Sequence, residues 1–266
     1  MTVEWMKMTA PDFVKAVKTS KGVCVVPLGS IEKHGDHLPT GIDSYNVEAR
    51  TRLACEKARV VMFPVISFME NSSAMANPGA IAMRAEVLMP FLWNILDEIG
   101  RNGFRKIVLV NGHGGNTRLL GYLLQDFLVR QPDYMIYLCT VWHRKELTDE
   151  IIETDNQAHG GEAETSVSLH NVGDLVKMEN VPDREVPFLG RYDHVKGADP
   201  AGKWYADVPQ HYVGDARPAT AEKGKRLVED IVEQMTACFE SVRNDRKTAQ
   251  VYRGYCERVR CGGMKK

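Results

Sequence analysis

Apolar runs of strand length alternate with apolar positions at helical spacing along the first half of the chain. Gly22–Leu28 reads as a buried strand, Val60–Val65 as a second, Lys106–Val110 as a third and Tyr134–Val141 as a fourth. Between them lie helical patterns. One starts at Thr9-Ala10-Pro11-Asp12 and carries Phe13, Val14 and Val17. A second spans about Ser44–Lys57, with Ser44 as N-cap, Val47, Ala54 and Cys55 inward, and Arg50 and Arg52 on the wet side. The clearest is Ala85–Asn102, where Pro90 predicts a kink or a start nearer Met89. Thr117–Val129 is another. This alternation predicts an α/β fold with a mostly parallel sheet covered on both faces.

After Glu150 the pattern loosens. Val167, Leu169 and Val172 suggest a helix, Val181–Gly214 has little periodicity, and Thr220 opens a long helix. The tail from Arg243 is basic and reads as a further helix or a frayed end. No repeat, linker or low-complexity stretch divides residues 1–266, which points to one domain.

Composition narrows the class. Of 266 residues, 44% are apolar and 26% charged, as in ordinary globular chains, and the formal net charge is -1. No global field recruits nucleic acid or an anionic membrane. No apolar run approaches the roughly 20 residues that span a bilayer, and the N-terminus lacks the apolar region of a secretion signal. The six cysteines form no C-x-x-C pair; reduced thiols in a cytoplasmic protein are expected, although Cys256 and Cys261 lie close enough in sequence to pair.

Three polar segments then change the picture. Directly after the first strand come Glu32, His34, Asp36, His37 and Asp43. Carboxylates and imidazoles together suit Zn, Mn or Fe(II), and loops at the carboxyl ends of parallel strands are where ligands bind. Taken alone, the segment is equally readable as a charged surface loop. Asn111-Gly112-His113-Gly114-Gly115-Asn116 follows the third strand. It falls short of the dinucleotide fingerprint because the third glycine is missing. His159-Gly160-Gly161-Glu162-Ala163-Glu164-Thr165-Ser166 is the third segment. If a helix starts near Gly161, Glu162 and Glu164 lie about 200° apart around it, so only one faces a site.

The loop G-S-I-E-K-H-G-D-H-L-P-x-G-x-D, the turn N-G-H-G-G-N and the segment H-G-G-E-A-E-T-S resemble the creatininase family, in the family's order. Asn77-Pro78-Gly79, Gly103–Lys106, Gly214-Asp215 and Ala219–Gly224 extend the likeness over nearly the whole chain. The resemblance implies a three-layer α/β/α domain, a centre of one or two divalent metals, hydrolysis of a non-peptide C–N bond, and ring-shaped homo-oligomers, often hexamers. It implies that Glu32, His34, Asp43 and His113 are metal ligands, with Asp43 the bridge, and that His159 is the catalytic acid/base. Gly115 stands where creatininase proper has a metal-binding Glu, which leaves Glu164 as the remaining ligand; Ala158 also replaces a Glu. The turn is that of a branch including formamidopyrimidine-nucleotide deformylases.

The expected function is therefore hydrolysis of a cyclic amide, amidine or formamide of a small molecule with metal-activated water. The alternatives are an isomerase of a polyhydroxy or keto substrate on the same site, and a metal-binding scaffold without catalysis. His37, Gly114, Gly115, Asn116, Trp142 and Glu162 are expected in substrate contact or in support of the ligands, Asp36 in support as well. His143, His194, Trp204 and His211 are further candidates for the pocket wall. Specificity is expected in Phe68–Ile81 and Val181–Gly214.

Overall fold

In strand β1 (Val23–Leu28) successive side chains leave the sheet on opposite faces, and both sets are buried. Val23 and Val25 pack with one core cluster; Cys24, Val26 and Leu28 pack with another. A strand buried on both sides needs helices on both sides, and the computed structural model, which describes residues 2–264, has them.

Strands β2 (Val61–Met62), β3 (Lys106–Asn111) and β4 (Met135–Cys139) complete a sheet of order β2-β1-β3-β4, parallel at every pairing. Helices α1 (Ala10–Thr19), α3 (Ala85–Arg101) and α4 (Asn116–Arg130) supply the core on one face. Helices α2 (Ile42–Ala58) and α8 (Ala221–Asn244) supply it on the other. α6 (Glu162–Val172) packs on α8 and α2. Shorter helices α5 (Lys145–Ile151) and α7 (Lys203–Asp207) lie in the later connections, and α9 (Thr248–Arg260) gives the basic tail a helical form. The layers are those expected of a three-layer α/β/α fold. The expected domain, 1–266, includes Met1, Lys265 and Lys266, which lie outside the described residues.

Several sequence expectations change. The second strand is only two residues long, because Pro64 has no N–H for the ladder; pairing resumes where Ile66 N–H donates to Pro27 O at 3.0 Å. α3 starts at Ala85 and runs through Pro90. α2 starts before Ser44, with Gly41 at the cap position. Ser44 is instead buried in the first turn, and its hydroxyl donates to Ser30 O at 3.1 Å. A Cβ on Gly29 would lie 2.3 Å from Ser44 Oγ, so only glycine lets the end of β1 meet the start of α2. Arg50 is not on the wet side: it is half-buried, lines a cavity and donates from Nη2 to Asn111 O at 3.1 Å. All six cysteines are free, Cys256 and Cys261 included.

Candidate metal centre

Parallel strands bring the segments after β1 and β3 to one edge of the sheet. The β1–α2 loop closes on itself where Glu32 N–H donates to Thr40 O at 2.9 Å. Asp43 follows in the first turn of α2, and His113 sits in the turn before α4. His159 is pinned by paired backbone bonds with Val213, at 3.1 and 3.0 Å. Glu164 comes from the first turn of α6.

These residues converge. Asp43 turns Oδ1 to His34 Nε2 at 3.3 Å and Oδ2 to His113 Nδ1 at 3.1 Å. Glu32 Oε1 is 3.1 Å from His113 Nδ1 and 3.7 Å from His34 Nε2. Glu164 Oε1 is 3.4 Å from His34 Nε2. Glu32, Asp43 and His113 form one compact donor triad, and His34, His159 and Glu164 another. Glu32 and His34 are 2% and 1% exposed, so water screens little of this charge.

Burial opposes charge on His34 and His113, but the carboxylates outweigh it. Glu164 and Asp43 raise His34 well above the ordinary histidine value, and Asp43 and Glu32 raise His113 to about 10. Burial likewise opposes ionisation of Glu32 and Glu164, yet the imidazoles hold both carboxyls below their usual range. The cluster therefore calls for positive charge at its centre.

His159 behaves differently. Burial, then the neighbouring His34, lowers it to about 4. Its Nε2 lies 3.0 Å from Lys33 O, and a carbonyl only accepts, so Nε2 carries the hydrogen and Nδ1 the lone pair.

His211 is a site residue that the motifs do not mark. It is fully buried, and its Nε2 lies 3.6 Å from Glu32 Oε2. Asn77 Nδ2 donates to its Nδ1 at 3.2 Å, which leaves the other ring nitrogen as N–H towards Glu32. Asn77 belongs to the Asn-Pro-Gly motif; His211, expected in the pocket wall, lies behind Glu32 and does not line the cavity.

Over the cluster lies a cavity of about 590 Å³, lined by Glu32, His34, Asp43, His113, His159 and Glu164 at its floor. Gly114, Gly115, Trp142 and Trp204 line it as well, and Trp142 is 79% exposed at the rim. Phe68–Ile81 contributes Ser73 and Val181–Gly214 contributes Trp204.

Residues 6–239 match the family model described as Creatininase: Creatinine amidohydrolase. The chain belongs to the creatininase family. It is an enzyme of the hydrolase class, the class of the family's named members. The creatinine amidohydrolase of Pseudomonas putida is 26% identical over 244 residues, 85% of this chain and 92% of that protein. The mycofactocin precursor peptide peptidase of Mycobacterium tuberculosis is 32% identical over 227 residues, 79% of this chain and 81% of the relative. The 3-dehydro-scyllo-inosose hydrolase of Thermotoga maritima is 25% identical over 234 residues, 79% of this chain and 74% of the relative. A Bacteroides fragilis structure described as a creatinine amidohydrolase superposes with TM-score 0.78 at 28% identity, covering 92% of this chain and 97% of the other. A manganese creatininase structure superposes with TM-score 0.76 at 22% identity, covering 92% and 100%.

Within this family frame, some expected site residues sit elsewhere. Glu162 is fully buried but points away: its Oε2 accepts from the N–H groups of Glu153 and Thr154 at 2.9 Å, and Oε1 pairs with Lys223. His37 is buried beside the site without lining the cavity, and its Nε2 lies 2.9 Å from Thr165 Oγ1. Asp36 pairs with Lys33 at 2.8 Å rather than supporting a ligand imidazole. Asn116 is buried and ties the turn to the β1 end, donating from Nδ2 to Gly29 O at 3.2 Å. His143 faces Asp230 at 3.5 Å and His194 is exposed; neither lines the cavity.

Proposed function

We propose that the protein is a divalent-metal-dependent amidohydrolase that cleaves a non-peptide C–N bond of a small molecule, in a cyclic amide, amidine or formamide. The observation that carries this reading is Asp43, which offers a separate oxygen to each of His34 and His113. The donor set fits a metal. Around a tetrahedral ion with bonds near 2.1 Å, neighbouring donors stand about 3.4 Å apart. The carboxylate–imidazole separations here, 3.1 to 3.7 Å, match that spacing. His34 Nδ1 lies 3.4 Å from Glu32 O, an arrangement that leaves Nε2 as the lone-pair nitrogen among the carboxylates. Asp43 Oδ2 has no hydrogen-bond donor.

Glu32, Asp43 and His113 would hold one ion, and His34, Asp43 and Glu164 a second. Zn, Mn and Fe(II) all suit these donors. A bound divalent cation supplies Lewis-acid activation of the carbonyl and of water. The chain's own residues do the rest. His211 turns an N–H towards Glu32 Oε2 from 3.6 Å and favours its ionised form. His159, neutral at pH 7, moves a proton through Nδ1 to the leaving nitrogen. Trp142 and Trp204 wall the cavity and hold the substrate against the floor.

Metal analysis of purified protein beside a panel of formamides, lactams and hydroxyketones tests this. The expected result is bound divalent metal with release of amine, ammonia or acid. Protein that takes up no metal would sink the reading. The Thermotoga relative, a hydrolase named for an inosose, keeps a hydroxyketone substrate in view: turnover of a hydroxyketone with no amide cleaved would favour a reaction on that substrate class, by hydrolysis or by isomerisation, at the same site.

The reading extends to a cytoplasmic homo-oligomer, a hexamer, that takes a small-molecule substrate and no nucleic-acid or membrane partner. Among the described residues no helix is long and apolar enough to cross a membrane. Light scattering against the 29.9 kDa chain mass checks the assembly.

A further inference from the structure

Arg50 is the one Lys or Arg among the described residues that lines the cavity above the cluster. Its environment is unusual for a guanidinium. Nη2 donates to a backbone carbonyl, Asn111 O, and Nε is buried with no partner. An arginine has five N–H donors and stays protonated in proteins. A buried charge held this way is normally paired. The carboxylates in Coulombic reach of it, Asp43 and Glu164, already face His34, and Asp43 faces His113 as well. The Cys139 thiol, also in Coulombic reach, is engaged with Cys238. Burial draws the Arg50 guanidinium down from its ordinary value despite these neighbours.

Its placement gives the missing partner a location. Arg50 follows Asp43 by two turns on the same face of α2, about 10 Å away along the axis. Side chains on a helix lean towards its N-terminus, and Arg50 and Asp43 line the same cavity. An anion bound by Arg50 therefore sits beside the metal ligands without displacing them. Two divalent ions would more than balance the three carboxylates of the floor, so the floor does not repel such a group.

We propose that Arg50 anchors a carboxylate of the substrate, so that the amide cleaved here carries an anionic group a few bonds from the reacting carbonyl carbon. This rests on the amidohydrolase reading above for the reaction, but the binding step is testable without turnover. The probes are succinate and butyrate, titrated calorimetrically into metal-loaded protein. Each brings one carboxylate to the metal centre, and only succinate has a second for Arg50. The expected result is a preference for succinate of roughly 30-fold, the scale of a hydrogen bond to a charged group. Arg50→Gln should abolish that preference and Arg50→Lys should recover part of it. An equal preference in Arg50→Gln, or none in the parent protein, overturns the proposal. So does loss of metal from both variants, which would make Arg50 a support for the ligand carboxylates.

A kinetic arm uses N-formylglycine and N-methylformamide. The ratio of their kcat/KM values should fall roughly 30-fold in Arg50→Gln, carried by KM for the carboxylated substrate. A succinate preference that depends on Arg50, with no amide hydrolysed by the parent, supports the anchor and overturns the amidohydrolase reading alone.

Discussion

The imidazoles of His34 and His159 stack with centroids 4.0 Å apart and planes inclined by 22°. One ring is drawn strongly towards the protonated form and the other is held neutral. Two neighbouring histidines with opposite tendencies suit different tasks, one at a cation and one in proton transfer.

The pair can be separated by mutation. His34→Ala should lose metal and activity together. His159→Ala should keep its metal content while turnover falls by about 10²–10⁴-fold, the usual scale of a lost general acid or base. Metal analysis of both variants beside amide hydrolysis decides. Metal loss from His159→Ala would make His159 a ligand.

Gly115 is held by space. A Cβ there would lie 2.4 Å from His113 Nε2, whereas one on Gly114 meets nothing within 4 Å. Gly115→Ala should therefore displace the His113 imidazole and weaken metal binding about 10- to 100-fold, as disturbed ligand support does elsewhere. Gly114→Ala should keep the parent's metal affinity. Competition with a chelator measures both, and equal affinities would refute the steric argument.

Glu162 stabilises the fold instead of the site. Removing it by Glu162→Ala leaves two backbone N–H groups without their acceptor, while Lys223 keeps Glu153 at 2.6 Å and the Pro218 carbonyl at 3.0 Å. The loss should be about 2–4 kcal/mol, the scale of stranding two buried hydrogen-bond donors. Urea unfolding reads this directly, and a change below 1 kcal/mol on the same scale would contradict the assignment.

Acid should act on His37. Burial lowers its pKa from 6.5 to about 4, so the unfolded chain binds its proton first as pH falls. Stability is fully present above pH 6.5 and is lost as pH drops towards 4, by about 3 kcal/mol. His37→Asn should flatten the difference in unfolding free energy between pH 7 and pH 4. An unchanged slope would mean that His37 charges freely in the folded protein.

Local sequence determined the strands, most of the helices and the metal loop. Apolar runs such as Val23–Leu28 need burial on both faces wherever they fold, and Glu32, His34 and Asp43 follow one of them closely. Helical geometry also required that Glu162 and Glu164 part company. Which of them enters the site depended on where α6 packs. The remaining features were set by contacts distant in sequence. Arg50 looks like a solvated helix residue until β3 and its turn cover that face of α2 and Asn111 takes its Nη2. His211 lies in a stretch without periodicity, placed by Gly35 N–H donating to its carbonyl at 2.7 Å and by Asn77 on its ring. Periodicity reports which face of an element is apolar. It is silent on polar side chains whose partners arrive from another part of the chain, and only tertiary packing assigns those.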